Sequence, residues 1–309
     1  MSESTRSRVL AAAHQLGYRA DSSARGLRSG RVRAVGVVVG PDAASMPTTL
    51  GSPFISHYVL SLVDELSRAG IPVFRIGLAE MSNLSHTPID ALHIVSLDPS
   101  IVLPDSVTRG LPLIMTGGPR KGIDAATIVG HDHDRMTRQI LAHFDVQGAR
   151  RPALLARTGS HTYVHAARAV YERACLSNGQ EPVVLETDGN PAHVERTVAA
   201  AIKTHRIDAM YSTVGEPGAI VAAAQRCRLS IPADFMIATM SDGRAEALMT
   251  PAVTVQALQA SEAAASVANA ISNGMSNGTW PARVVLAHLL IPRQSTNRTA
   301  STRPELGVP

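Results

Sequence analysis

The densest run of metal-ligating side chains in this chain is His131-Asp132-His133-Asp134. Imidazole and carboxylate are both zinc donors, but a metal site needs several of them converging on one point. In an extended segment alternate side chains point to opposite faces, and no further ligand cluster accompanies the run. It therefore reads as no metal site, with Asp132 either capping the helix that follows or lining a cleft. Gly117-Gly118 lacks the Gly-Lys-Ser/Thr sequel of a phosphate loop and reads as a turn. Ser, His and Asp are plentiful, yet no Gly-x-Ser-x-Gly elbow occurs, and no acid–base or nucleophile group supports an enzyme. The two cysteines, Cys175 and Cys227, fall inside amphipathic stretches and read as buried, reduced thiols. No cofactor motif is present. What remains is arginine: residues 1–33 carry seven against Glu3 and Asp21, a net +5, whereas the whole chain is +4. Neutralising nucleic-acid phosphates is the usual use of such a segment, and a solvated basic tail is the other reading that composition leaves open.

These residues have to be positioned by elements. The 309 residues exceed one average domain, so two domains or subdomains are expected. With 45% hydrophobic but only 3% aromatic residues, Val, Ile, Leu and Ala must do most of the packing. No apolar run approaches the roughly 20 residues of a membrane span, and the N-terminus has no signal-peptide pattern. A cytoplasmic protein with no membrane partner is expected.

Ser2 can cap a helix whose apolar positions Val9, Ala12, Ala13 and Leu16 recur at helical spacing, with Gly17 as its stop. A second, very short helix follows, capped by Ser22 or Ser23, with Ala24–Ser29 as body and Gly30 as end. It is too short to stand alone, and Gly26 costs about 1 kcal/mol relative to Ala. From Val32 the pattern becomes alternating strand and helix. Strand Val35–Val39, helix 53–69 and strand Pro72–Ile76 come first, then apolar runs at Ala91–Val95, Leu113–Met115 and Thr127–Val129, then helix Asp134–Phe144. The rhythm then restarts through strands at 153–156, 183–186, 209–212, 236–239 and 253–255, with helices at 162–176, 192–205 and 218–228 between them. A final helix over 260–273 and a strand over 284–291 complete the set. The fold class expected is α/β, with two doubly wound parallel-sheet subdomains preceded by a short helical segment. In such sheets ligands bind at the strand carboxyl ends, and two facing sheets form a cleft that a hinge can close.

The leading segment resembles one family in particular. Ser2 to Leu10, continuing through Leu16-Gly17-Tyr18-Arg19, is similar to the third headpiece helix of LacI/GalR regulators. Ala24-Arg25-Gly26-Leu27-Arg28-Ser29-Gly30-Arg31 is similar to their hinge helix. Further along, Ser52-Pro53-Phe54, Val129-Gly130-His131-Asp132, His143, Gly148-Ala149-Arg150-Arg151, Leu229 to Asp234, Leu248-Met249-Thr250-Pro251 and Arg293-Gln294-Ser295-Thr296 resemble later signatures in family order. The resemblance implies a periplasmic-binding-protein-like sensor core, a homodimer, operator DNA and a small-molecule effector as partners. The implied DNA contacts are Arg6, Ser22, Ala24, Arg25, Leu27, Arg28 and Arg31. Leu27 stands where the family wedges a leucine between base steps, with packing between two hinge helices as the alternative. The implied effector residues are Ser52, Phe54, Asp132, Arg168, Thr213, Ser241 and Asp242.

The resemblance implies a partial headpiece and hinge helix over 1–31 and a sensor core over 32–292, and the Ser-, Thr-, Arg- and Pro-rich composition of 293–309 reads as a disordered tail. Within the core, one subdomain takes 32–147 and 257–282, the other 148–256 and 283–292. Three departures stand out. The first two helices of the family's helix-turn-helix have no counterpart, which fits either a start codon assigned too late or a headless form. The Gly and aromatic that normally follow the pocket arginine are Tyr171 and Glu172, and the usual Asn-Asp is Thr213-Val214. The paired acids of a late strand read Ser241-Asp242. Polyols need carboxylate acceptors, so a different or smaller effector than a sugar is open. A solute-binding module without DNA binding and an enzyme using the cleft are the competing classes.

Overall fold

The computed structural model describes residues 33–40, 52–96, 101–108, 110–123, 125–159 and 161–298, together with helical positions Ser4, Thr5, Arg8 and Ala12. The chain runs β1 (Val35–Val39), α1 (Pro53–Arg68), β2 (Val73–Arg75), a 3-10 helix (Ala79–His86), β3 (Ala91–Val95), α2 (Asp105–Thr108), β4 (Leu113–Thr116), β5 (Ala126–His131) and α3 (His133–Val146). It continues through β6 (Pro152–Arg157), α4 (Thr162–Ser177), β7 (Val184–Thr187), α5 (Pro191–His205), β8 (Ala209–Ser212), α6 (Pro217–Arg226), β9 (Met236–Ser241), α7 (Arg244–Ala247), β10 (Thr254–Ala257), α8 (Ala260–Asn277), β11 (Arg283–Leu286) and β12 (Leu289–Ile291).

Two six-stranded sheets result, ordered β11-β5-β4-β3-β1-β2 and β12-β10-β9-β8-β6-β7. Every pairing is parallel except β10 with β12. Strands β1, β3 and β8 are apolar along almost their whole length because helices or loops cover both sheet faces. On one face of the first sheet α1 and α8 pack through Tyr58, Leu62 and Leu66 against Ala260, Ala263, Ala264 and Val267. The alanines of α8 let the two helices and the sheet approach closely around the one large buried ring, Tyr58. The second sheet is covered by α5 and α6 on one face and by α3 and α4 on the other.

The chain passes between the sheets three times, and two of these passages differ from expectation. Ile140 and Phe144 of α3 pack with Leu154 and Met236 of the second sheet. The first passage therefore lies at 131–133, rather than at 147–148. The second runs from β10 into α8. The strand expected over Val284–Ile291 is two strands: β11 joins the first sheet beside β5, and β12 joins the second beside β10. Ala287-His288 makes the third passage between them.

The tail also begins later than expected. Ser295 and Thr296 are fully buried. Ser295 Oγ donates to Ile237 O (2.6 Å) and accepts from Thr254 N (2.8 Å), while Thr296 Oγ1 meets His143 Nε2 and Thr254 Oγ1, both at 2.7 Å. Hydroxyls that look like tail composition in sequence satisfy the strand ends here. Residues 299–309 lie outside those described.

Candidate functional site

The carboxyl ends of β3, β4, β5, β6, β8 and β9 open on one cleft of about 1270 Å³ between the two sheets. Among the expected effector residues, Ser52, Phe54, Asp132, Thr213, Ser241 and Asp242 all line it. Ser52 is the N-cap residue of α1, and Pro53 at the first helical position sets Phe54 one step into the helix. Asp132 both caps α3, accepting from Arg135 N at 2.9 Å, and faces the cleft. Thr213 is buried and donates to Leu155 O (3.2 Å), and Ser241 Oγ accepts from Gly243 N (2.9 Å).

Arg168 is a correction. It does not line the cleft: its guanidinium holds Glu172 at 2.7 Å and Glu186 at 2.8 Å on the outer surface. α4 turns Tyr163 and Ala166 to the cleft and Val164, Ala167 and Tyr171 to the core. Two residues beyond Ala166, at about 100° per residue, Arg168 faces away. Tyr171, where the family has glycine, is buried with its hydroxyl donating to Pro152 O (2.9 Å) and accepting from Val183 N (2.9 Å). The expected DNA contacts Arg6, Ser22, Ala24, Arg25, Leu27, Arg28 and Arg31 lie outside the described residues.

Asp242 is already engaged. His57 Nδ1 donates to its Oδ2 at 2.8 Å, Arg244 Nε lies 3.4 Å from the same oxygen, and Ala260 N donates to Oδ1 at 3.2 Å. With its proton on Nδ1, His57 accepts at Nε2 from Arg244 Nη2 (3.2 Å) and Ser261 Oγ (3.2 Å). His57 and Ala260 belong to helices of the first sheet and Asp242 follows β9 of the second, so this group latches one subdomain to the other. On the opposite flank Thr162, which opens α4, donates to Gly117 O of the first. Gly117 and Gly118 both have left-handed φ (95° and 103°), as a tight turn there requires.

The His-Asp-His-Asp run behaves differently from an extended strand. β5 ends at His131 and α3 begins at His133, so the chain bends between them and all four residues, rather than one alternate pair, line the cleft, with the two rings 5.9 Å apart. His131 Nε2 donates to Leu258 O (3.0 Å), joining the first passage to the second. His288, on the third, donates to Gln139 Oε1 of α3 (3.2 Å). Burial lowers His131 to about 4 and His133 to about 3, with neighbouring imidazoles adding to the shift. Both are neutral at physiological pH. Among the described residues no group of His, Cys, Asp and Glu is arranged to hold a metal ion.

Sequence reading missed His57, His161 and Tyr163. The available signal was weak: His57 and Tyr163 lie inside helices and His161 caps one, and nothing local marks which face of those helices meets the cleft.

A family model described as periplasmic binding protein-like domain matches residues 141–296. No curated protein matches the sequence. Among solved structures, the lac repressor dimer bound to operator and the anti-inducer ONPF superposes with a TM-score of 0.76 at 18% identity, covering 96% of this chain and 91% of that one. The transcriptional regulator CelR–cellobiose complex gives 0.74 at 20% identity, with the same coverages. A LacI family transcriptional regulator from Arthrobacter sp. FB24, in complex with lactose, gives 0.68 at 16%, covering 85% of this chain and 99% of that one.

Proposed function

Because this chain belongs to the periplasmic-binding-protein-like domain family, we propose that it is a ligand-responsive, DNA-binding transcriptional regulator of the LacI/GalR type, acting as a repressor. The observation that carries the reading is the cleft itself, open at the strand ends of both sheets and spanned by the Asp242–His57 latch. A small effector seated there touches both subdomains at once. It stabilises whichever relative placement it fits better, by no more than its difference in affinity for the two.

On this reading the chain works as a homodimer in the cytoplasm and needs no cofactor or catalysis. Its arginine-rich segment 1–31 contacts operator DNA, with Leu27 as the wedge and Arg6, Ser22, Ala24, Arg25, Arg28 and Arg31 as groove and phosphate contacts. The net +5 of residues 1–33, set in an otherwise near-neutral chain, supports this use. So does the likeness to a lac repressor dimer solved on its operator. No described helix is long and apolar enough to cross a membrane.

The test is immunoprecipitation of the native protein with its bound DNA from cells, followed by gel shift on the recovered fragments. Enrichment of a few sequences, with affinity falling steeply as salt rises, is the expected result. Uniform recovery of the genome at low salt would leave only the solute-binding function.

A further inference from the structure

Six rings line the cleft and touch one another in an unbroken row. Tyr58 and Phe54 stack with centroids 6.0 Å apart, Phe54 meets the edge of His131 at 5.8 Å, and His131 meets His133 at 5.9 Å. His133 then meets Tyr163 at 5.6 Å, and Tyr163 stacks on His161 at 5.6 Å. The row starts on α1 of the first subdomain, passes through the first inter-sheet passage and ends on α4 of the second. Phe54, His133, Tyr163 and His161 are only half-buried, so the row forms a wall of the cleft rather than an interior core.

The hydrogen-bonding groups point the same way. A polyol is gripped by planar acceptors that take hydroxyls in pairs. Among the described cleft-lining residues there is no Asn or Gln. Both oxygens of Asp242 are occupied, Asp132 already gives one oxygen to the cap of α3, and Asp134 lies 3.9 Å from Arg138. Glu216 sits beside Arg157, which leaves Glu246, only 7% exposed. A neutral imidazole, by contrast, carries one donor and one acceptor nitrogen in a plane; His131 gives its Nε2–H to Leu258 O, so His133 is the ring that presents this pattern to the cleft. That is the pattern on the edge of a heteroaromatic ring.

Building on the effector site proposed above, we propose that this cleft takes a planar heteroaromatic molecule lying against the Phe54–His131–His133–Tyr163 wall, in preference to a saturated sugar. Stacking and edge contacts along the wall supply the affinity, and the imidazole nitrogens supply orientation.

Calorimetric titration of the full chain with adenine, hypoxanthine, uracil and nicotinamide, set against glucose, lactose and cellobiose, tests it. At least one ring compound is expected to bind in the micromolar range while the sugars do not. Tyr163→Ala and His133→Ala should each weaken that binding about three- to tenfold with the circular dichroism unchanged, and Tyr163→Phe should restore it. Binding of a sugar but of no ring compound overturns the ligand class and leaves the regulator standing. Ring binding that never alters retention of the recovered DNA supports the ligand class and removes the regulator. Silence from both panels overturns the ligand class.

Discussion

At the scale of single residues, Asp242 and Arg168, both effector residues by resemblance, part ways: one lines the cleft and the other does not. Asp242 joins the two subdomains, being only 11% exposed and bound to His57 at 2.8 Å. Replacing it by Ala leaves the His57 Nδ1–H and the Ala260 N–H without their acceptor. A loss of about 2 kcal/mol in unfolding free energy is expected, and a double-mutant cycle with His57→Ala should return a coupling of about 1 kcal/mol or more. A coupling near zero would mean that the latch does not persist in solution. Arg168, 43% exposed and paired on the surface, should behave in the opposite way. Arg168→Ala is expected to cost less than about 1 kcal/mol and to leave effector affinity within twofold. A tenfold loss of affinity would return it to the pocket.

At the scale of elements, the packing at the end of α8 depends on a small residue. Gly274 faces Trp280, and a Cβ there would stand 2.5 Å from the indole. Gly274→Ala must therefore displace the only tryptophan of the chain. We expect a cost of about 1–3 kcal/mol in denaturant unfolding, with a shift of tryptophan emission in the native state. Unchanged emission would show that the indole does not pack there. The same packing explains which elements could be read from sequence. β-branched runs such as Val35–Val39 and the 16-residue amphipathic α1 announce themselves by period. The split of 283–291 into two strands does not, because an apolar run has no mark for which sheet each half will join.

At the scale of the whole molecule, buried imidazoles make stability depend on pH. Burial holds His93 and His131 near 4 and His133 near 3, all below the ordinary 6.5. His93 donates from Nδ1 to Ile114 O (3.0 Å) and accepts from Tyr58 at Nε2 (2.8 Å), a pairing that only the neutral ring satisfies. The unfolded chain takes up these protons first as pH falls below 6.5. Stability is thus at its full value above 6.5 and is lost from there down towards 4, by about 1.4 kcal/mol per pH unit for each group. Melting temperature measured from pH 7.5 to 4.5 should fall steeply below 6, and His93→Gln should flatten the slope by about one proton. An unaltered slope in that variant would place the linkage elsewhere.

The α/β class, the alternation of elements and the cleft-facing positions Ser52, Phe54, Asp132, Thr213, Ser241 and Asp242 were legible in the sequence. The elements were legible from where apolar runs start and stop, and the site positions from the family resemblance of the segments that carry them. The tertiary structure alone decided which partners those residues find. That Asp242 is consumed by His57 from 185 positions away, that Arg168 turns outward and that six rings from three segments meet in one wall are long-range outcomes of how two sheets face each other. Local periodicity reports the face a side chain takes on its own helix or strand. It carries no information about what the rest of the chain brings to that face.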